Sequence, residues 1–440
     1  MKSEYTQLQL DDESLISYYT RVRQDSERIC DPLEIEDYGI QTMPEVSPPK
    51  WHLAHTSWFF ETLLLKPFLH AYKEYHPQFA VLFNSYYDTI GTYHPRPQRG
   101  LLSRPTVEEI YRYRSYVDDA MTELISQPSH PEVEQIISLI VLGLNHEQQH
   151  QELLLTDIKH IFATNPLKPV YKRLDTTLYK QMNPSSKATP AIDWITFDGG
   201  IKTVGHAGQG FAYDNEGPQH KVYLEDFQLA AKPVSNAEFI EFMQAGGYAE
   251  ASYWLSDAWA LLKQQHWQAP LYWEQKGHEW YNMTLSGLQP VDMAAPVCHV
   301  SYFEAAAFVR WACEKDPGIR LPTEVEWEIA ANTVPLKGQL RDLNCMQPRD
   351  LTETGVKSGL TQMFGDVWEW TQSPYTAYPG YHAAIGPMGE YNGKFMSSQM
   401  VLRGGSCVTP ADHIRSSYRN FFYPHERWQF SGFRLARDLS

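Results

Sequence analysis

No two cysteines in this chain are spaced as Cys-x-x-Cys, and the five present (Cys30, Cys298, Cys313, Cys345 and Cys407) are scattered and odd in number. That excludes a zinc–cysteine site and a disulfide framework, so a reduced, cytoplasmic setting is the expectation. Long apolar runs are also missing: nothing approaches the roughly 20 residues that span a bilayer. The opening stretch, MKSEYTQLQLDDESL, is acidic and polar and contains no signal-peptide core. Positive charge is scarce, with 37 Lys and Arg against 53 Asp and Glu and a net charge of -16. Nucleic acid and anionic membrane call for a basic patch, so neither is an expected partner. The oligomeric state is not legible, and no fixed-period repeat or low-complexity tract is visible.

What remains is a soluble globular balance, 42% apolar and 20% charged over 440 residues, long enough for two domains with separate cores. The 13 Trp and 27 Tyr point to large stacked or concave surfaces. The most informative stretch is Leu144–Leu153, LNHEQQHQEL. Ile136, Ile137, Ile140, Leu144, Leu153 and Leu154 recur around it at helical spacing. His146 and His150 lie one turn apart, so both imidazoles leave one face and can meet one cation. Gln149, three residues after His146, looks into the same space. His-Glu-Gln-Gln-His also fits the HExxH spacing of zinc proteases, in which Glu147 would be the general base. The spacing alone leaves the metal open.

Taken in order, the chain suggests a first helix from Asp11 to about Pro32. A second runs through WHLAHTSWFFETLLLKPFL, where His52 and His55 lie three apart. An irregular segment rich in Pro, Gly, Arg and Tyr follows, FNSYYDTIGTYHPRPQRGLLSRPT. It ends where Thr106 and Glu109 form a capping box for a third helix, Val107 to Ser126. The fourth, Pro131 to Ala163, carries the histidine pair. Four helices with one long crossover make a small bundle, a common place for metal sites. From about 164 to 190, Pro, Ser, Lys and Thr dominate and periodicity is lost, which reads as a linker. Beyond Ala191 short alternating runs are broken by helical patches at Asn236–Gln244, Tyr302–Cys313 and Thr323–Ala331.

Six phrases in the second half, WLSDAW, PVCHVSYFEA, RLPTEVEWEIAA, GDVWEWTQSPY, LRGGSC and FSGFRLAR, resemble the formylglycine-generating-enzyme/sulfatase-modifying-factor domain, a variant of the C-type lectin fold. Those enzymes use a late cysteine pair, and only Cys407 lies in that region, so their chemistry is not implied. The first half, with Leu-Ala-His at 53–55 and HEQQH at 146–150, resembles the DinB-like four-helix metal domain. In this order the two resemble the sulfoxide synthases of ergothioneine biosynthesis (EgtB type). The expected class is α+β: a DinB-like bundle over 1–165, a linker over 166–190 and a lectin-like domain over 191–440.

The resemblance implies Fe(II) on His55, His146 and His150, with His52 as a bystander that faces solvent or bonds to backbone. Imidazole suits iron as well as zinc, and three neutral ligands leave positions open. O2 is the implied co-substrate, and the implied substrates are hercynine and a thiol, joined at C2 of the hercynine imidazole. Glu147 then becomes structural, and Gln149 lies beside hercynine. Arg96 and Arg99 resemble the paired arginines that hold the sulfur donor's carboxylate. In the actinobacterial enzymes the tyrosine that supplies a proton belongs to the C-terminal domain, and the comparable stretch here, 382–389, has none. A second branch carries a Tyr-Tyr pair in the N-terminal domain, matched by Tyr86 and Tyr87, and a phenol keeps its proton at neutral pH. Asn420 matches an asparagine near hercynine, Phe421 replaces an aromatic wall residue, and Phe422 stands where an aspartate reads the γ-glutamyl amine. Losing that carboxylate implies cysteine rather than γ-glutamylcysteine as donor. Selenoneine synthesis and an ovothiol-type reaction are close alternatives, although ovothiol-type chains add a methyltransferase and this one ends at Ser440. Of other classes, a zinc hydrolase or thiol transferase and a non-catalytic ligand-binding module remain open.

Overall fold

The computed structural model describes residues 13–173, 192–350 and 359–439. The expected linker beyond residue 173, and Asp11 at the expected start of the first helix, lie outside them. The chain divides into two compact units. One takes the residues up to Pro166 together with Gly208–Phe211 and Ala383–Tyr391; the other takes the rest. The fold class is α+β, as expected.

Four long helices dominate the described part of the first unit: α1 (Leu15–Cys30), α2 (Pro49–Phe60), α3 (Val107–Ile125) and α4 (Val133–Thr164). Local chemistry sets their starts. Ser14 caps α1 by accepting the Ser17 N–H, and α2 begins at Pro49, which has no N–H to leave unpaired. At α3 the Thr106 hydroxyl accepts the Glu109 N–H at 3.2 Å, while the Glu109 carboxylate accepts the Thr106 N–H at 2.7 Å. Every residue of α2 is buried, so it is the central helix of the unit. Gly143 on α4 lets α2 come close: a Cβ there would meet the Phe60 ring at 2.7 Å. That approach brings the histidine faces of α2 and α4 together. Among the described residues no helix is long and apolar enough to cross a membrane.

In the second unit, one sheet orders Trp194–Phe197, Phe227–Ala230, Ala436–Asp438 and Ile319–Arg320, so the last strand lies between an early one and Ile319–Arg320. Another orders Asn420–Phe422, Met400–Arg403, Trp368–Pro374 and Ser431–Gly432. Helices lie at Asn236–Gln244, Tyr302–Ala312 and Glu324–Ala331, where spacing places them. A further helix, Ser256–Gln265, is not among those expected; Leu255 gives it no side-chain cap and it buries only Ala258 and Leu262.

The separated phrases of the second half hold one another's charges inside this unit. Glu324 takes Arg403 at 2.9 Å and Arg419 at 2.8 Å, and Glu328 takes Arg403 at 3.1 Å. Glu369 of the Trp-Glu-Trp phrase accepts two bonds from Arg434, each 2.7 Å, and one from Trp327 Nε1 at 2.8 Å. All these side chains are buried. Removing one partner of such a pair costs about 3–5 kcal/mol, which ties the phrases to a single arrangement.

Candidate metal centre and substrate residues

His55 on α2 and His146 and His150 on α4 come together, each offering a ring nitrogen within 4.8 Å of the others. His55 Nε2 and His146 Nε2 are 3.2 Å apart. Nitrogens bound to one ion at about 2.0–2.1 Å can lie at that separation. The His55 Nδ1–H donates to the Phe83 carbonyl at 2.6 Å, which leaves Nε2 with its lone pair toward the cluster. Burial, then the neighbouring imidazoles, lowers His55 and His150 well below the ordinary histidine range, and burial takes His146 down to about 3. All three are neutral at neutral pH, the form a metal needs. Trp51 and Trp58 stack on His55 at 4.6 and 5.4 Å, and Phe59 covers His146 at 4.6 Å. Three neutral imidazoles in an aromatic wall fit a divalent transition-metal ion.

His52 is no bystander. It is buried, with Nδ1 2.9 Å from His150 Nδ1 and Nε2 2.9 Å from Asp157 Oδ2. The expectation of a solvent- or backbone-facing ring is corrected: α2 is buried all round, so its residue 52 has no solvent side.

Glu147, next to His146 in sequence, points the other way. Ser26 donates to it at 2.6 Å, Arg23 at 2.8 Å and Arg114 at 3.0 Å. Burial raises its carboxyl, and the two guanidiniums outweigh burial and hold it below the usual range. A carboxylate committed to two arginines of α1 and α3 cannot act as the general base that HExxH suggests.

Arg99 and Arg96 share the 3-10 turn Arg96–Leu101 and part company there. Arg96 is exposed and donates to the Glu45 carbonyl. Arg99 is buried, lies 3.4 Å over the Trp51 ring, and donates to Ser47 Oγ at 2.9 Å and Ser85 Oγ at 3.3 Å. Its Nε has no partner, and no carboxylate bonds to it among the described residues. Burial, then Arg96, pulls it well below the usual arginine range. Among the described residues this buried cation bonds only to hydroxyls and a ring, with Asp157 attracting it at longer range, an arrangement that favours an incoming anion.

Tyr86 and Tyr87 stack at 4.7 Å, and Tyr87 also meets Trp58 at 5.6 Å. Burial, then Tyr86 and Tyr391, pushes the Tyr87 phenol well above its ordinary range, so it stays protonated. Tyr391 is the residue that sequence reasoning passed over. It lies two positions beyond the tyrosine-free stretch 382–389, within the segment that packs into the first unit. Its hydroxyl donates to Gln149 Oε1, and its ring meets His146 at 5.7 Å. Glu390 anchors it by accepting the N–H groups of Asp88 and Thr89, each at 2.9 Å.

Asn420, Phe421 and Phe422 stand together on one strand of the second unit, all half-buried. Phe421 stacks on Tyr375 at 4.0 Å, Phe422 meets Trp428 edge-on at 5.6 Å, and Asn420 Oδ1 accepts the Phe421 N–H.

Comparison with known proteins agrees with this architecture. The DinB superfamily model matches residues 18–154, and the sulfatase-modifying factor enzyme 1-like domain matches 179–343 and 354–439. Hercynine oxygenase of Mycolicibacterium thermoresistibile is 30% identical over 421 residues, covering 90% of this chain and 88% of its own. The chain belongs to the hercynine oxygenase family. A second hercynine oxygenase, from Mycolicibacterium smegmatis, is 32% identical over 68% of this chain and 71% of its own. The formylglycine-generating enzyme of Streptomyces coelicolor is 28% identical over 58% of this chain and 92% of its own.

Proposed function

We propose that this protein is an O2-dependent, Fe(II)-using sulfoxide synthase that joins the sulfur of cysteine to C2 of the hercynine imidazole, giving hercynyl-cysteine sulfoxide. The observation that carries the reading is the trio His55, His146 and His150 with the Tyr391 phenol against His146, in a chain of the hercynine oxygenase family. The three histidines would hold the iron, which when bound supplies redox chemistry and open positions for thiolate and O2. The reaction breaks one C–H and one S–H bond and forms one C–S bond. O2 takes four electrons, leaving one oxygen on sulfur and the other in water.

The chain's own residues orient and protonate. Arg99 receives the amino-acid carboxylate of the thiol, with Arg96 beside it at the surface. Gln149 holds the Tyr391 hydroxyl, and Tyr391 Oη or the buried Tyr87 Oη supplies the proton while keeping water out. The aromatic wall excludes bulk solvent around the histidines. The zinc-hydrolase reading loses its general base at Glu147. Phe422 favours cysteine over γ-glutamylcysteine, because no carboxylate there pairs with the γ-glutamyl ammonium.

The test is anaerobic loading with Fe(II), then air, hercynine and either cysteine or γ-glutamylcysteine, with products read by mass spectrometry. The sulfoxide with cysteine alone supports the whole reading. Product with γ-glutamylcysteine alone keeps the class and overturns the donor. No O2-dependent product with either donor overturns the function.

A further inference from the structure

Each of the three clustered histidines has a second ring nitrogen, and the structure treats the three differently. His55 Nδ1 is tied to the Phe83 carbonyl, which accepts and so fixes a proton on that nitrogen. His146 Nδ1 is buried with no partner. His150 Nδ1 faces another imidazole, His52 Nδ1, at 2.9 Å. An imidazole pair is ambiguous by itself, because either ring can donate. Something further along has to decide.

Asp157 decides it. Its Oδ2 accepts the Ser47 backbone N–H at 2.8 Å and lies 2.9 Å from His52 Nε2. An oxygen already accepting from an amide cannot turn a lone pair toward another lone pair at that distance, so His52 Nε2 carries the proton. In the neutral ring His52 Nδ1 is then the acceptor, and the proton between the two imidazoles sits on His150 Nδ1. That leaves His150 Nε2 with a free lone pair. With the opposite order of protons Nε2 would be an N–H and could not bind an ion. His52 and Asp157 are almost fully buried, their side chains 4% and 3% exposed, so water does not scramble the arrangement.

We propose that Asp157 and His52 act as a two-residue relay that sets the tautomer of His150 and aims its Nε2 at the metal. The role is positioning, one ring removed from the usual carboxylate–histidine–metal arrangement. The proposal rests on the reading of His55, His146 and His150 as a metal site.

The test uses Co(II) as the probe, with affinity measured by competition against a chromophoric chelator on the full chain. Folding is followed in parallel by thermal melts. His52→Leu keeps an apolar side chain and ends the relay; Co(II) affinity is expected to fall about 10–100-fold. His52→Gln offers an amide oxygen to the His150 N–H and an amide N–H to Asp157, and is expected to recover most of the loss. A role in packing alone would not separate His52→Gln from His52→Leu in this way. Histidine nitrogen NMR of the Zn(II)-loaded protein should report His150 as protonated at Nδ1. His52→Leu binding Co(II) as tightly as the parent, or His52→Gln as weakly as His52→Leu with both folded, overturns the relay. If His52→Leu does not fold, the same NMR measurement on the parent decides: His52 protonated at Nε2 and bare at Nδ1 supports the relay, and the opposite order overturns it. A parent protein that binds no Co(II) overturns the metal-site reading itself, and the relay with it.

Discussion

The Tyr391 hydroxyl donates a hydrogen bond to Gln149, one turn along α4 from His146, and the Tyr391 ring meets the His146 ring edge-on. Two residues 242 positions apart thus share the space above the histidine cluster. Glu390 pins the segment by capping the Asp88 and Thr89 amides, three residues or fewer from the Tyr86–Tyr87 pair.

Tyr391→Phe removes one hydroxyl and keeps the ring. Sulfoxide formation is expected to fall by about 100-fold or more, the usual contribution of a positioned acid, while Co(II) affinity stays at the parent level. Single-turnover product yield for Tyr391→Phe and Tyr87→Phe, measured side by side, checks it. Full activity in Tyr391→Phe with loss in Tyr87→Phe assigns the proton to the N-terminal pair.

Glu147→Gln leaves Arg23 and Arg114 buried without their shared counter-charge. A loss of about 3–5 kcal/mol is expected, visible as a large drop in Tm and in urea midpoint. An unchanged melt with lost turnover would return Glu147 to the role of general base.

Arg99→Lys keeps the charge and loses the planar fork. The KM for the amino-acid thiol should rise about 10–100-fold, in line with the roughly 1.5–3 kcal/mol of a charged hydrogen bond, with kcat changing less. Arg96→Lys, at the exposed position, should move KM little. Equal effects at the two positions would remove the distinction that burial draws between them.

Asp366 gives a pH-dependent stability. Burial lifts its carboxyl from an ordinary value of 3.8 to about 7, against the Arg349 N–H that accompanies it. Below pH 4 both folded and unfolded chains hold this proton. Between pH 4 and 7 only the folded chain keeps it, so this group subtracts up to about 1.4 kcal/mol per pH unit as pH rises. Above pH 7 the loss levels off. Asp366→Asn, with the same shape and no charge, should gain Tm over the parent progressively from pH 4 to 7 and hold that gain at pH 8. A Tm difference independent of pH over that range would show that Asp366 does not titrate there.

Much of the architecture was legible because it is written locally. The capping box of Thr106 and Glu109 and the apolar spacing through α4 each act over a few residues, and α3 begins where the box stands. The i, i+4 placement of His146 and His150 follows from helix geometry alone. The second-half phrases were legible by resemblance, and the structure pairs their charges, Glu324 with Arg403 and Glu369 with Arg434. The Ser256–Gln265 helix was not legible, since it lacks a cap and buries little.

The sequence by itself determined the helices of the first unit, the single face that carries His146 and His150, and the family to which the two halves belong. Tertiary structure alone decided that His52 faces His150 and Asp157, that Glu147 turns toward two arginines, that Arg99 is buried while Arg96 is not, and that Tyr391 reaches Gln149. The reason is physical. Spacing along a chain fixes which side chains share a face, whereas the partners of buried polar groups are chosen across elements, by which donors and acceptors can be satisfied once water is gone.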